Sequence, residues 1–105
     1  MSEQNELLSL RDKIDALDLQ IMEKISQRAD CAKQVARVKK SQGDTVYYRP
    51  EREAQVLRHI MEANKGPLDN EDMARLFRQI MSACLALEQP IRVAFLGPEG
   101  TFTQE

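Results

Sequence analysis

The chain has 105 residues, of which 42% are hydrophobic and 30% are charged, and its formal net charge at pH 7 is −2. This length predicts a single domain, the apolar content excludes a disordered chain, and the lack of a basic excess argues against a nucleic-acid binder. The sequence shows neither a secretory signal nor a run long enough to span a membrane, so we expect a cytoplasmic protein.

The first predicted element is a helix from Glu6 to about Lys40, a stretch that contains neither Gly nor Pro. Apolar residues recur through it every three or four positions, which is typical of a helix that buries one face. This apolar stripe comprises Leu7, Leu10, Ile14, Leu17, Ile21 and Ile25, and continues through Ala32 and Val35. The helix would be about 50 Å long, whereas a compact monomer of this size would be only about 33 Å across. We therefore expect a second copy of the chain to cover the overhanging stripe in a homodimer.

The second predicted element is a helix that begins near Pro50, after a break at residues 41–44. Proline suits the first position of a helix, and the carboxylates of Glu51 and Glu53 suit the positive end of its dipole. We expect this helix to end in the segment around Gly66, with that glycine as its cap. The residues predicted to face inward are Ala54, Leu57, Ile60 and Met61.

A third helix is predicted to begin at Asp69 or Asn70, where acidic residues occupy the first turn, and to end before Pro90. Its predicted buried residues are Met73, Phe77, Ile80, Met81 and Leu85. After it, residues 91–96 form a short apolar run typical of a strand, and residues 97–100 form a Gly- and Pro-containing turn. This strand-like segment departs from the helical pattern before it.

Two basic residues of the first helix lie on its apolar stripe rather than on a solvated face. Arg28 is seven residues from both Ile21 and Val35. Lys39 projects the same way as Arg28, because the eleven positions between them amount to about 20° of net rotation. Burying unpaired cations is costly, so we expect an anionic ligand to meet them. The alternative is that their long stems lie along apolar surface with the charged groups in water.

Arg11 lies about 80–100° away from the Arg28–Lys39 line around the same helix. It cannot readily reach the same pocket from within its own chain. Across a dimer seam, however, it could reach the pocket of the partner.

The third helix carries polar groups on its own apolar stripe. Cys84 and Glu88 are one turn apart and in phase with Met81, so they could line the same pocket. The simpler alternatives are a small core residue at Cys84 and a solvated carboxylate at Glu88. Because Cys31 and Cys84 are too few and too far apart for a disulfide framework or a zinc site, we expect two reduced thiols.

The sequence lacks the residue sets of several common catalytic sites. His59, the one histidine, has no visible partner and is predicted to lie at the surface. Neither a Ser/His/Asp set nor a metal-binding cluster nor a phosphate-binding loop is present. An enzyme of this sequence would therefore work without a nucleophile or a metal, and we expect no cofactor.

Five segments spread over about residues 5–89 carry a family likeness: LLSLRDKIDALD, Arg28, VARVKK, RPERE and LFRQIMSACLALEQ. Together they resemble the all-helical chorismate mutases, and most closely the N-terminal mutase domain of the bifunctional chorismate mutase/prephenate dehydratases. The tail RVAFLGPEGTF is similar to the first strand and turn of the dehydratase domain. The resemblance implies a mutase domain over residues 1–89. It implies a linker and the start of a truncated dehydratase domain over residues 90–105, with dehydratase activity only in a longer protein.

The resemblance also implies a fold and a reaction. The fold is all-α, with three helices and a very long first helix in an intertwined homodimer, where each site is completed by an arginine of the other protomer. The reaction is the intramolecular rearrangement of chorismate, a small dicarboxylate, to prephenate in phenylalanine biosynthesis. Such enzymes hold the substrate in a compact form and stabilise negative charge on the breaking ether oxygen. The alternative from another class is a non-catalytic helical module that dimerises a downstream enzyme.

The resemblance can be applied to individual residues of this chain. It implies that Arg28, and Arg11 of the second copy, bind the two carboxylates of the substrate. Lys39 would contact a carboxylate and the ether oxygen. Glu53 would accept a hydrogen bond from the ring hydroxyl, and Arg52 would complete the polar wall. No nucleic-acid or membrane partner is implied.

At three positions the chain departs from the best-known family pattern. Arg49 stands nearest to the place of an Asp that assists the ring hydroxyl, Cys84 replaces a Ser with a weaker donor, and Glu88 replaces a Gln. Glu88 would help only while protonated, because the neutral acid donates a hydrogen bond to the developing charge and the carboxylate would repel it. Burial raises a carboxyl pKa while nearby Lys39 and Arg28 lower it, and the sequence leaves this balance open.

Overall fold

The computed structural model of the chain describes residues 2–44, 46 and 48–88. These described residues contain three α-helices, α1 (Glu3–Ser41), α2 (Pro50–Ala63) and α3 (Asn70–Glu88), which confirms the all-α class and the very long first helix. The predicted strand over residues 91–96 and the turn over residues 97–100 lie outside the described residues. Within the described part of the chain, no helix combines the length and apolarity needed to cross a membrane.

Helix α1 begins three residues before the predicted Glu6, because Ser2 caps it. The Ser2 hydroxyl oxygen accepts a hydrogen bond from the backbone N–H of Asn5 at 3.2 Å, which satisfies one of the unpaired donors of the first turn. At the other end Gly43 takes a left-handed backbone conformation, with φ at 81°. The predicted break at residues 41–44 is therefore confirmed, and a glycine permits it.

The turn between α2 and α3 is organised by Asn64 rather than by Gly66. The side chain of Asn64 accepts a hydrogen bond from Gly66 N at 3.2 Å and donates to Leu68 O and Asn70 Oδ1, each at 2.9 Å. Gly66 is not among the residues with positive φ. The prediction of a Gly66 cap is wrong, because the Asn64 side chain holds the turn without a left-handed residue at position 66.

The two shorter helices begin where the sequence predicted. Helix α2 begins at Pro50. Helix α3 begins at Asn70, and the carboxylate of Asp69 accepts a hydrogen bond from the backbone N–H of Asp72 at 2.8 Å. This is the capping geometry that favours Asp immediately before a helix.

Helix α3 packs against both α1 and α2, which do not pack directly on each other in the part of the chain that the structure describes. The buried apolar residues are Ala32, Leu57, Ala74 and Cys84. The five predicted inward residues of α3 are all half-buried. On α2, Leu57 is buried and Ile60 and Met61 are half-buried, but Ala54 is exposed. The prediction for Ala54 is wrong, because Ala54 lies about 60° around the helix from the buried Leu57 and thus at the edge of the buried face.

The N-terminal two-thirds of α1 extends away from the other helices. Residues 2–27 are exposed throughout, and the stripe residues Leu7 to Ile25 retain between 38% and 55% of their accessible surface. The radius of gyration is 18.6 Å, whereas a compact chain of this length would have about 13 Å. The predicted overhang of the first helix is therefore confirmed.

Candidate active site

A cleft with a volume of about 500 Å³ opens where the C-terminal part of α1, the start of α2 and the C-terminal part of α3 meet. Its apolar wall is formed by Ala32, Val35, Val56, Met81 and Leu85. Its charged lining comprises Arg28, Lys39, Arg49, Arg52, Glu53 and Glu88. Four positive side chains thus share a partly apolar cleft with two carboxyl groups.

Nearly all of the residues that the sequence predicted for the site line this cleft. They are Arg28, Lys39, Arg49, Arg52, Glu53, Cys84 and Glu88. Arg28 and Lys39 reach it from one face of α1, as their spacing predicted. Arg11 does not line this cleft, since it is exposed and lies 17 positions before Arg28, or about 25 Å along the helix. His59 is exposed, as predicted.

Lys39 lies in the last turn of α1 and lines the cleft. Its Nζ donates a hydrogen bond to Val46 O at 2.7 Å. The ammonium group is therefore oriented in part by a main-chain carbonyl of the loop. No periodic sequence signal predicts this contact, because it depends on the path of the loop.

Asp44 organises the same loop. Its Oδ2 forms an ion pair with Arg49 Nη2 at 2.8 Å, and its Oδ1 accepts a hydrogen bond from Val46 N at 2.9 Å. The hydrogen bond from the Val46 N–H, together with the positive charges of Arg49 and Lys39, lowers the pKa of Asp44 below its usual value. The carboxylate is therefore ionised at neutral pH, and it holds Arg49 at the rim of the cleft.

Tyr48 is a lining residue that the sequence analysis missed. Its hydroxyl donates a hydrogen bond to Glu53 Oε1 at 3.2 Å, and the negative charge of Glu53 raises the pKa of Tyr48. Tyr48 precedes α2, so no helical periodicity relates it to Glu53, and only its proximity in sequence could have suggested the pair. Beside them, Arg52 Nη1 donates to Gln55 Oε1 at 2.8 Å.

Glu88 lies in the last turn of α3 and is half-buried at the cleft. Its removal from water raises the pKa of Glu88, although the charges of Lys39 and Arg28 oppose the shift. The balance that the sequence left open is thus decided in favour of burial. One turn earlier, Cys84 is 3% exposed and lines the same cleft.

The lining defines what the cleft can do chemically. Four basic side chains can bind a small dianion, Glu53 can accept a hydrogen bond, and a protonated Glu88 can donate one. Among the described residues, no group of three or more His, Cys, Asp or Glu side chains is placed to hold a metal ion.

Comparison with known proteins gives a family and close relatives. The family model for chorismate mutase type II matches residues 10–89. A protein of Stutzerimonas stutzeri named bifunctional chorismate mutase/prephenate dehydratase is 66% identical over 108 residues, and one of the same name from Pseudomonas aeruginosa is 64% identical over 108 residues. Each alignment covers 99% of this chain and 30% of the relative, so the chain spans less than a third of the length of these curated relatives.

A solved structure has the same helical arrangement. The chorismate mutase of Thermus thermophilus, in its form II structure, superposes with a TM-score of 0.76 at 29% sequence identity. The superposition covers 79% of this chain and 93% of the other.

Proposed function

The chain belongs to the chorismate mutase type II family, and from this premise we propose that it converts chorismate to prephenate in the cleft between its three helices. The observation that carries the proposal is the lining of this cleft, where four basic side chains surround a volume of about 500 Å³. Chorismate is a small dicarboxylate, and cations in a concave, partly apolar site are the groups that hold such an anion. Because the rearrangement is intramolecular, the protein has to orient the substrate and stabilise its changing charge.

In this proposal Arg28 and Lys39 act on the charges of the substrate. Arg28 binds a carboxylate, and Lys39 contacts a carboxylate and the ether oxygen. The ether oxygen gains negative charge only as its bond breaks, so Lys39 stabilises the transition state more than the bound substrate. A millionfold acceleration needs about 8 kcal/mol off the barrier, and cations already held in position supply much of it.

Glu53 accepts a hydrogen bond from the ring hydroxyl of the substrate. Its carboxylate already accepts one from Tyr48, at 3.2 Å. A carboxylate has room for several hydrogen bonds, so Glu53 can hold Tyr48 and the substrate hydroxyl together. Arg52 and Arg49 complete the polar wall, and the charge of Arg49 is partly balanced by Asp44.

Glu88 donates a hydrogen bond to the ether oxygen in its neutral form. Its raised pKa supports this assignment, because a larger fraction of the side chain is protonated in mild acid than for an ordinary glutamate. Cys84, one turn earlier, adds a small and weaker donor to the same wall.

A second copy of the chain completes the site with Arg11. The exposed apolar stripe of α1 and the extended shape of the chain support a homodimer, since an isolated monomer would leave this stripe in water. Arg11 lies on this overhanging part of α1 and outside the cleft of its own chain. In the dimer it binds a substrate carboxylate in the partner's cleft.

The division of the chain into domains and the cellular location of the protein are part of the same proposal. Residues 1–89 form the mutase domain, which is supported by the end of the family match at residue 89. Residues 90–105 correspond to a linker and the start of the dehydratase part of the bifunctional relatives. A cytoplasmic location is supported by the free thiols of Cys31 and Cys84.

An absorbance assay of chorismate loss tests the proposed function directly. We expect the purified chain to consume chorismate, and Lys39→Ala to lower kcat by about a hundredfold with a small change in KM, because its ether contact strengthens in the transition state. Lys65→Ala is the matched control, since Lys65 is an exposed lysine in the α2–α3 turn and does not line the cleft. A folded dimer that consumes no chorismate would favour the non-catalytic dimerisation module instead.

A further inference from the structure

Asp44 lies in the loop between α1 and α2 and contacts both the end of α1 and the start of α2. Its backbone N–H donates a hydrogen bond to Lys39 O at 2.8 Å. Its carboxylate accepts a hydrogen bond from Val46 N at 2.9 Å and pairs with Arg49 Nη2 at 2.8 Å. The loop is thus anchored through one side chain beside two cations of the cleft.

The backbone of Val46 links the Asp44 carboxylate to the Lys39 ammonium. The N–H of this residue donates to Asp44 Oδ1, and its carbonyl oxygen accepts from Lys39 Nζ at 2.7 Å. Only two rotatable backbone bonds separate the N–H of a residue from its carbonyl oxygen, so the hydrogen bond to the Asp44 carboxylate restricts where the Val46 carbonyl oxygen lies. Since a lysine side chain is long and flexible, a fixed acceptor restricts where its ammonium group lies.

We propose that Asp44 is a positioning residue that holds the Lys39 ammonium in place at the cleft through the backbone of Val46, an inference that rests on the proposed function. Asp44 itself is not among the residues that line the cleft. The Arg49 ion pair ties the same loop to the start of α2 and serves as its second anchor.

Asp44 keeps its negative charge over the pH range in which Glu88 titrates. The Val46 hydrogen bond and the Arg49 and Lys39 charges lower the pKa of Asp44, whereas burial raises that of Glu88. The carboxylate of Asp44 therefore stays ionised over the pH range in which Glu88 gains or loses its proton. Losing Asp44 should reduce turnover without changing the form of the pH profile.

Two substitutions separate the two contacts of the carboxylate. Asp44→Ala removes both, whereas Asp44→Asn keeps an oxygen that can accept from Val46 N and removes the charge that faces Arg49. We expect Asp44→Ala to lower kcat about tenfold with KM changed less than about twofold, which is the effect of losing one charge-assisted hydrogen bond. Asp44→Asn should stay within about threefold of the unmodified chain, because the link to Lys39 remains.

The matched control is Asp72→Asn. The ion pair between Asp72 Oδ1 and Arg75 Nη1 is also 2.8 Å long, but neither residue lines the cleft. This variant should leave kcat and KM unchanged. Thermal unfolding and the oligomeric state are measured for every variant, and the proposal predicts that all of them fold, since the backbone bond from Asp44 to Lys39 is retained in each.

Several outcomes would overturn the proposal. An unchanged kcat in Asp44→Ala would show that the loop contact does not position Lys39. An equal loss in Asp44→Asn would assign the effect to the Arg49 ion pair, and a loss of activity that follows a loss of folding would mark Asp44 as structural.

The unmodified chain is the reference for the underlying function. If it does not consume chorismate, the proposed function fails. An active chain with an equally active Asp44→Ala variant overturns the Asp44 proposal alone.

Discussion

Glu88 projects from α3 into a cleft whose α1 wall carries Arg28 and Lys39. Two opposing effects act on this carboxyl group: removal from water disfavours its charged form, and the two cations favour it. The first effect is the larger, so the pKa of Glu88 is raised. From the sequence alone, Glu88 would be taken for an ordinary carboxylate at the end of a helix. In the structure its pKa is raised above the usual value.

The activity should accordingly depend on pH in a defined direction. Below the raised pKa of Glu88 the side chain is neutral and donates to the ether oxygen, and above it the carboxylate repels the developing charge. We expect kcat/KM to fall as the pH rises through this pKa, by about tenfold per pH unit once the group is mostly ionised. Glu88→Gln keeps the donor without the titration, so its profile should be flat in this range.

Glu62→Gln is the control for that measurement, because Glu62 is exposed on α2 and does not line the cleft. Its pH profile should match that of the unmodified chain. Identical profiles for Glu88→Gln and the unmodified chain would mean that Glu88 is a solvated carboxylate with no part in the reaction.

The connections between the helices rely on two glycines in different ways. Gly43 ends α1 with φ at 81°, and a Cβ built on it meets no other atom within 4 Å. Gly66 lies in the α2–α3 turn without a positive φ, and its added Cβ would be 3.8 Å from Asn64 Oδ1, an ordinary contact. Backbone conformation, rather than space, is what distinguishes the two sites.

Alanine at each glycine should therefore affect stability differently. Gly43→Ala should lower the free energy of unfolding by about 1 kcal/mol, because an L-residue is strained in the left-handed region. Gly66→Ala should not lower it, and the reduced freedom of the unfolded chain could raise it by about 0.5 kcal/mol. Urea unfolding at one fixed protein concentration measures both values. Equal losses at the two positions would contradict the role assigned to Gly43.

At the scale of the whole molecule, a stripe of apolar residues along α1 is exposed and is not covered by any other residue that the structure describes. We expect a dimer at micromolar concentration in analytical ultracentrifugation, because burying this stripe is favourable. Ile14→Glu should shift the chain towards monomer. Ser9→Glu places the same charge about 140° away around the helix and should shift it less. A stable, folded monomer of the unmodified chain would contradict the homodimer.

The shared site makes a separate prediction for mixtures of variants. Arg11→Ala and Arg28→Ala chains should each be inactive, because every site of either homodimer lacks one carboxylate contact. In a heterodimer both lesions fall in the same cleft, so the other cleft is intact and about half of the activity per dimer should return. Verified heterodimers that recover nothing would mean that Arg11 does not act across the interface.

Sequence alone was sufficient for most of what depends on local backbone geometry. A helix turns by a constant angle per residue, so the spacing of Arg28 and Lys39 placed both on one face. The rules for helix ends located the start of α2 near Pro50 and that of α3 at Asp69 or Asn70. The same reasoning failed at Gly66, where a side-chain contact from Asn64 replaced the backbone solution.

Only the tertiary structure decided what depends on the path of a loop and on burial. The contacts of Asp44 with Val46 and Arg49, and of Tyr48 with Glu53, join residues outside the regular part of the helices, and no periodic pattern encodes them. The pKa of Glu88 likewise depends on how far α3 removes it from water next to the cations of α1. Such a balance is set by distances between elements that are remote in sequence, since both the desolvation penalty and the Coulomb attraction vary with surroundings that only packing defines.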